Sequence, residues 1–244
     1  MEPSVQAQIG GQRVSFDRLA PYYRPMEAVA AGRIMQRCRT SFLAETIGRR
    51  RALLVGEGPG RFLIELLRAT PRMEVTVLEQ SPQMIRQAKS RLRKKGLDAS
   101  RVEFQTVDAL TWNPPVQGFD LIATHFFLDC FGPEELADLI GKLGQSATED
   151  ARWLLGDFCI PKRGWRRFRA RVIHAAMYAF FRVATGLSAK RLTPPDRFMQ
   201  RAGFQRMERR LFSLGLLHSD LWVRGGPTRL NPRGPENVHG APAG

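Results

Sequence analysis

The stretch ALLVGEGPGRFLIELL, residues 52–67, places three glycines between two apolar segments of different periodicity. A continuous apolar run, typical of a buried strand, ends at Gly56, and a helical apolar pattern begins after Gly60. Glycine permits a tight turn and lets backbone N–H groups at a helix N-terminus approach a ligand closely. The spacing predicts that Gly56 makes the turn, that Gly58 faces the ligand and that Gly60 packs the helix on the strand.

Strands and helices alternate along the chain on both sides of this turn. We predict strands at 51–55, 74–79, 102–107, 119–124, 152–158, 205–212 and 216–224, and helices at 16–48, 61–69, 82–95, 133–147, 162–185 and 194–202. Ser81 before Pro82 is a strong start signal for the helix that follows. Such alternation is typical of an α/β fold with a doubly wound, mostly parallel seven-stranded sheet.

Composition and charge limit the partners of the chain. The formal net charge of +15 favours an anionic lipid surface, a nucleic acid or a phosphate-bearing substrate, although a coding preference for arginine would also produce it. The sequence has no run of eighteen apolar residues and no N-terminal signal pattern, so we expect a cytoplasmic protein without a transmembrane helix. Cys38, Cys130 and Cys159 lack metal-ligand spacing, which predicts reduced thiols and no metal site.

Glu79 ends the second predicted strand about twenty residues after the glycines, where an acidic residue can bind ribose hydroxyls. Its alternative role is that of an acid at the N-terminus of the helix that begins at Pro82. A nucleotide-dependent oxidoreductase is one interpretation. However, the spacing here is Gly-x-Gly-x-Gly and not the Gly-x-Gly-x-x-Gly of those enzymes.

Four segments in order, LLVGEGPGRF, VTVLEQSPQMI, VEFQTVDAL and FDLIATHFFLDCF, resemble the signature segments of class I S-adenosylmethionine-dependent methyltransferases. The resemblance covers roughly residues 50–160 and implies a Rossmann-like methyltransferase fold with S-adenosyl-L-methionine as cofactor. It implies that the cofactor is bound by Gly56, Glu57, Gly58, Gly60, Glu79, Gln80, Met84, Asp108, Ala109 and His125. The glycine turn would line its methionine part, Glu79 and Gln80 its ribose, and Met84, Asp108 and Ala109 its adenine.

The sequence departs from that family at Leu54, where an acidic residue is common. A second segment, FDRLAPYYRPMEA, resembles the N-terminal segment of the ubiquinone/menaquinone-biosynthesis methyltransferases, except at Arg24 and Glu27. We therefore expect five regions: an N-terminal helical lid segment (1–48), a cofactor-binding core (49–160), a helical insertion or lid (161–203), the closing strands of the sheet (204–224) and a disordered tail (225–244).

The candidate catalytic residues are His125, Asp129 and Tyr23. His125 ends the fourth strand and has a side-chain pKa near neutrality, which suits a base, although a structural histidine is the alternative. Asp129 would orient His125 or cap the following turn. Tyr23 would close over the cofactor or pack in a helix. Phe126, Phe127 and Phe131 would form an apolar wall for the acceptor or belong to the core.

Residues 162–185 form a basic amphipathic pattern. Its apolar positions are Trp165, Phe168, Val172, Ala176, Ala179 and Val183, and arginines fill many of the others. Such a helix suits the surface of an anionic membrane, and we expect peripheral contact with its inner face. The alternative is a lid helix docked on the core with a solvated arginine face.

Three functions compete. The leading prediction is a methyltransferase that acts on an apolar or amphipathic small molecule, quinone-like or lipid-like, by in-line displacement. The alternatives are a nucleic-acid methyltransferase and a non-catalytic scaffold that binds S-adenosylmethionine. Nucleic acid is disfavoured because the chain has no added recognition module, and the Asn113-Pro114-Pro115 segment precedes the fourth strand instead of following it. A dimer is compatible with the sequence.

Overall fold

The computed structural model describes residues 32–161, 163–185 and 192–225, with the backbone alone for 176–185. The strands are β1 (Arg51–Val55), β2 (Glu74–Glu79), β3 (Val102–Thr106), β4 (Phe119–His125), β5 (Ala147–Phe158), β6 (Phe204–Phe212) and β7 (Leu217–Arg224). The helices are α1 (Gly32–Arg39), α2 (Arg61–Ala69), α3 (Pro82–Lys94), α4 (Pro133–Ser146), α5 (Gly164–Thr185) and α6 (Asp196–Arg201).

The seven strands form one sheet in the order β3-β2-β1-β4-β5-β7-β6. The first five strands are parallel, and β7 runs antiparallel between β5 and β6. The predicted α/β fold with a mostly parallel seven-stranded sheet is therefore confirmed. Strands β2 and β3 lie on one side of β1, and β4 and β5 lie on the other, so the strand order reverses between β1 and β4. Ligands of open α/β sheets bind at such a switch point.

Both faces of the sheet are buried at its centre. In β1, Leu53 and Val55 contribute to one hydrophobic cluster, and Ala52 and Leu54 contribute to the other. The first cluster receives the apolar side of α4, and the second receives the apolar side of α2. Leu54, which stands where the resembled family often has an acid, is fully buried in this core.

Two helices, α3 and α4, begin where the sequence predicts, and each has a capping hydrogen bond at its N-terminus. The hydroxyl of Ser81 accepts a hydrogen bond from the backbone N–H of Met84 at 3.2 Å, and Pro82 occupies the first turn of α3. The carboxylate of Glu135 similarly accepts a hydrogen bond from the N–H of Gly132 at the start of α4. Two predicted bounds differ more widely: β5 begins at Ala147 instead of 152, and within the described part of 16–48 an α-helix covers only Gly32–Arg39.

The five predicted regional boundaries stay predictions, and most of the first region and of the tail lies outside the described residues. Among the helices of residues 32–161, 163–185 and 192–225, none combines the length and apolarity needed to cross a membrane. Cys38, Cys130 and Cys159 are free thiols in the structure.

Candidate active site

The carboxyl ends of β1, β2 and β4 bring Gly56, Glu79 and His125 to one edge of the sheet. The turn after β1 is tied to β2, because the N–H of Gly56 donates to the carbonyl oxygen of Leu78 at 2.9 Å. Asp108 follows β3 at the same edge. The parallel pairing of these strands therefore assembles residues that lie up to about seventy positions apart in the sequence.

The three glycines of the turn have different surroundings. All three have positive φ angles, +66° at Gly56, +63° at Gly58 and +80° at Gly60, a region that favours glycine. A Cβ at Gly56 would lie 2.2 Å from the ring of Phe127, and one at Gly60 would lie 2.9 Å from the Cβ of Ala88. A Cβ at Gly58 would have no heavy atom within 4 Å. Gly58 is thus the glycine with free space beside it, as its predicted role requires.

The predicted reason for Gly60 needs correction. Its close neighbour is Ala88 on α3, and not a residue of a strand. Gly60 begins α2 in the left-handed conformation, and the absence of a side chain lets α2 start against the neighbouring helix. The sequence could not show this contact, because Gly60 and Ala88 meet only when β1 and β2 pair.

Glu79 links the end of β2 to the glycine turn. Its Oε2 accepts a hydrogen bond from the N–H of Gly58 at 2.9 Å, and its Oε1 accepts one from the N–H of Ser81 at 2.9 Å. The residue is 9% exposed. A carboxylate is an acceptor-only group with about four acceptor sites, and hydrogen-bond acceptors are what ribose hydroxyls require. This donor and acceptor set fits the cofactor that the sequence resemblance implies.

Gln80, predicted to lie at the ribose beside Glu79, and the residues predicted to surround adenine flank this position. Gln80 is half-buried beside Glu79, and Met84 is 6% exposed in the first turn of α3. Asp108 is half-buried and organises a tight turn after β3, where its Oδ1 accepts a hydrogen bond from the N–H of Leu110 at 3.0 Å. Ala109 is 7% exposed within that turn. Their direct roles toward a cofactor stay predictions.

Glu57 has a structural contact that the sequence did not predict. Its Oε1 accepts hydrogen bonds from the N–H groups of Phe62 at 2.8 Å and Leu63 at 2.9 Å, so the carboxyl caps the N-terminus of α2. Burial raises the pKa of Glu57 to about 7. One carboxyl oxygen of Glu57 is therefore engaged in the helix cap, and its predicted contact with the cofactor stays a prediction.

Replacing Glu57 by glutamine should change how stability depends on pH. The raised pKa makes the wild-type carboxyl stabilising at low pH, and this contribution is lost as pH rises from about 4.5 to about 7. Glutamine retains an oxygen for both N–H groups and cannot ionise. Between pH 5 and pH 8 the unfolding free energy of the wild type should fall by about 1–2 kcal/mol relative to Glu57→Gln, after allowance for partial solvent exposure.

Urea unfolding at the two pH values measures this difference. Glu149→Gln, at an exposed position of β5, is the matched control and should show no comparable change. Equal pH dependence in the wild type and Glu57→Gln would contradict the assignment.

His125 is enclosed at the end of β4. It is 7% exposed, its ring lies edge-on to Phe62 at 4.5 Å between centroids, and no described residue gives its Nε2 a hydrogen bond. Burial, helped by the positive charge of Arg39, lowers the pKa of His125 to about 3. The imidazole is therefore neutral near pH 7 and weakly basic, so it is suited to accept a hydrogen bond from a ligand. Its catalytic role stays a prediction.

Asp129 pairs with Asp157, a residue that the sequence analysis did not single out. Asp157 Oδ2 accepts a hydrogen bond from the N–H of Asp129 at 3.0 Å, and its Oδ1 accepts one from the N–H of Phe158 at 2.8 Å. Burial raises the pKa of Asp129 to about 6, and burial together with the charge of Asp129 raises that of Asp157 well above its ordinary value. Two buried carboxyls in contact favour a shared proton. Asp129 thus lies beside a carboxyl of β5, and its two predicted roles, orienting His125 or capping the following turn, stay predictions.

The sequence contained a weak signal for Asp157, since an acidic residue follows the apolar run WLLG near the end of a predicted strand. Strand ends in parallel sheets face the ligand crevice, which would have justified its inclusion. Tyr23 lies outside the described residues, as does the segment FDRLAPYYRPMEA that contains it.

Aromatic rings lie next to one another beyond His125, at the carboxyl ends of β4 and β5. Phe126 has a positive φ of +56° and lies edge-on to Phe158 of β5, with 5.5 Å between ring centroids. Phe158 in turn lies edge-on to His174 of α5 at 5.6 Å. The guanidinium of Arg39 lies 4.8 Å from the centre of the Phe126 ring. A strained backbone at this position is typical of a functional site, and the rings form an apolar surface there.

Arg39 was also missed from the sequence. Its position follows from α1, because the Sγ of the preceding Cys38 donates to the carbonyl oxygen of His218 on β7 at 3.2 Å. Arg39 is 6% exposed and contributes positive charge near both His125 and Glu57. A single arginine in a chain with many arginines gives no sequence signal that would distinguish it.

The chain is similar to known methyltransferases. Residues 52–148 match the family model of a methyltransferase domain. The chain is 28% identical over 169 residues to the demethylmenaquinone methyltransferase of Deinococcus radiodurans, and the match covers 66% of this chain and 67% of that protein. The span matched by the family model includes the glycine turn, Glu79, Asp108 and His125.

Solved structures share the fold. The mitomycin 7-O-methyltransferase MmcR superposes with a TM-score of 0.65 at 20% identity, over 86% of this chain and 61% of that chain. A chain of the complex between the Haloferax volcanii Trm112 methyltransferase activator and a methyltransferase superposes with a TM-score of 0.66 at 11% identity, over 88% of this chain and 99% of that chain. This chain thus spans about three fifths of the length of the mitomycin enzyme and nearly all of the second structure.

Proposed function

We propose that this chain, whose residues 52–148 match a methyltransferase domain, is a class I S-adenosylmethionine-dependent methyltransferase that transfers a methyl group to an apolar or amphipathic small molecule, quinone-like or lipid-like. The observation that carries the choice of acceptor is the aromatic surface of Phe126, Phe158 and His174 beside His125. The relative named for demethylmenaquinone methylation supports a quinone-like acceptor. The mitomycin 7-O-methyltransferase, which shares the fold, is likewise named for a small-molecule acceptor.

The cofactor would be held by the residues at the ends of β1, β2 and β3. Glu79 would accept hydrogen bonds from the ribose hydroxyls, and Gly58 would let the backbone approach closely because the space beside it is free. When bound, S-adenosylmethionine supplies an electrophilic methyl group on a sulfonium centre. The protein's task in such a displacement is chiefly to align the acceptor and exclude water.

The residues beyond β4 would perform that task. The rings of Phe126 and Phe158 would hold an apolar acceptor against the edge of the sheet and exclude water. The neutral Nε2 of His125 would accept a hydrogen bond from an acceptor hydroxyl or acidic carbon and fix its orientation. Its low basicity makes it a better orienting group than a strong base at pH 7.

Two steps test this proposal. Calorimetric titration with S-adenosylmethionine should show binding, and methyl-labelled cofactor should then transfer its label to the organic phase of a quinone and lipid extract. The Glu79→Ala variant serves as the negative control. Binding without transfer to any acceptor would support a scaffold function, and label recovered in RNA or DNA would support the nucleic-acid alternative. The absence of binding by the wild type would refute the proposal.

A further inference from the structure

The first half of α5 packs on the rest of the protein with small and polar residues. Ala170 is 1% exposed and His174 is 4% exposed, and His174 contacts Phe158. Arg169 donates a hydrogen bond to the carbonyl oxygen of Ser213 at 3.2 Å. This side of the helix therefore faces the edge of the sheet that carries the candidate active site.

Its large apolar residues point outward. Trp165 is 62% exposed, Phe168 is 73% exposed and Val172 is 53% exposed. Their spacing of three and four residues places them on one side of a helix. Ala170 and Val172 lie two positions apart, which is about 200° around the helix axis. The predicted apolar face of this segment is thus turned away from the core in its described part, which corrects the alternative of docking through that face.

The outward side lies within a strongly basic segment. Residues 158–195 contain nine lysines and arginines and no aspartate or glutamate. Arg163, Arg166 and Arg171 are exposed in the described part of this segment. Exposed aromatic rings beside arginines, in a segment without acidic residues, match the chemistry of an anionic lipid surface, where the rings enter the headgroup boundary and the cations bind the headgroups.

We propose that the first half of α5 docks the protein on an anionic membrane surface through Trp165, Phe168 and Val172, with the surrounding arginines binding lipid headgroups. The contact of α5 with Phe158 places this surface next to the proposed acceptor site. An apolar acceptor dissolved in the bilayer would then meet the site at the membrane. The docking itself does not require methyl transfer, so its test is independent of the proposed function.

Trp165 provides a direct optical test. The other tryptophans, Trp112, Trp153 and Trp222, are 9%, 0% and 0% exposed. Vesicles of phosphatidylcholine and phosphatidylglycerol should therefore shift the fluorescence emission of Trp165 to shorter wavelength, and vesicles of phosphatidylcholine alone should not. Trp165→Phe should remove the shift but still sediment with the anionic vesicles, because it retains an aromatic ring.

Paired variants identify the surface. Trp165→Gln with Phe168→Gln should weaken sedimentation with anionic vesicles about tenfold, and Arg166→Gln with Arg171→Gln should weaken it at least as much, with the difference lost at high salt. Met207→Gln with Leu211→Gln, at exposed apolar positions of β6 (53% and 63%), is the matched control and should leave binding unchanged.

Three results would overturn the proposal. The first is equal vesicle binding by the control and the aromatic variant. The second is a wild-type dimer in light scattering that the aromatic variant dissociates without lipid, which would assign the surface to a second copy of the chain. The third is absent vesicle binding combined with RNA binding that the aromatic variant abolishes.

Discussion

Replacing Glu79 by alanine should weaken the binding of S-adenosylmethionine at least about 100-fold, since each hydrogen bond to a charged group contributes about 1.5–3 kcal/mol and two ribose hydroxyls would lose their acceptor. The same change removes the acceptor of the Gly58 and Ser81 N–H groups. The turn that approaches the cofactor would thus lose its side-chain link to β2 and keep only the backbone hydrogen bond from Gly56 to Leu78. Calorimetric titration of the purified variant measures the loss of affinity.

A control on the same strand separates this effect from damage to the sheet. Glu74→Ala changes an exposed glutamate at the opposite end of β2 and should bind the cofactor as the wild type does. Glu79→Gln, which keeps one acceptor oxygen, should fall between the two. Thermal unfolding should confirm that each variant is folded. Affinity within threefold of the wild type in a folded Glu79→Ala variant would exclude Glu79 as the ribose ligand.

Replacing Asp220 by alanine should lower the unfolding free energy by about 3 kcal/mol, near the lower end for a broken buried pair because Arg209 is partly exposed. The side chain of Asp220 is fully buried on β7. It accepts two hydrogen bonds from Arg209 on β6, at 2.7 and 2.6 Å, and its Oδ1 lies 3.1 Å from Nδ1 of His218. Alanine would leave the Arg209 guanidinium without this partner and a cavity at the edge of the core.

The effect should decrease in acid. Burial alone would raise the pKa of Asp220, but the hydrogen bonds and charges of Arg209 and His218 hold it below its ordinary value. A lowered pKa stabilises the fold above the pKa of the unfolded chain, and this contribution is lost as pH falls through the folded pKa. Denaturant unfolding at neutral and acid pH should therefore show a smaller difference between wild type and variant in acid.

Glu208→Ala is the matched control, because it breaks an exposed ion pair between Glu208 and Arg210, which both lie on β6. Its cost should stay below about 1 kcal/mol. If the two variants lost equal stability, the buried pair would have no special role. Asp220 also matters for the site, since β7 holds α1 through Cys38 and His218, and α1 carries Arg39 to His125.

Several site residues could be predicted from the sequence because the patterns that mark them extend over only a few residues. The glycine turn, Glu79 at the end of β2 and His125 at the end of β4 each stand at a boundary between an apolar run and a turn. Because strand ends of a parallel sheet meet at one edge, positions in the sequence sufficed to group these residues. The cap of α3 was predictable for the same reason, since Ser81 acts on a backbone group three residues away.

Contacts between segments that are distant in the sequence could not be predicted from it. Gly60 against Ala88, Asp157 against Asp129, and Arg39 near His125 each depend on which strands and helices become neighbours. The orientation of α5 is of the same kind. Its sequence pattern shows one apolar side, but the structure packs Ala170 and His174 inward and leaves Trp165 and Phe168 exposed.

The sequence by itself determined the order of strands and helices, the parallel sheet and the residues at the ends of its strands, because hydrophobic periodicity, glycine conformation and helix caps act over a few residues. The tertiary structure alone decided which buried carboxyls lie together, which histidines are enclosed and which side of α5 faces solvent. Those properties depend on burial and on charges brought together from distant parts of the chain, and both arise only when the whole chain has folded.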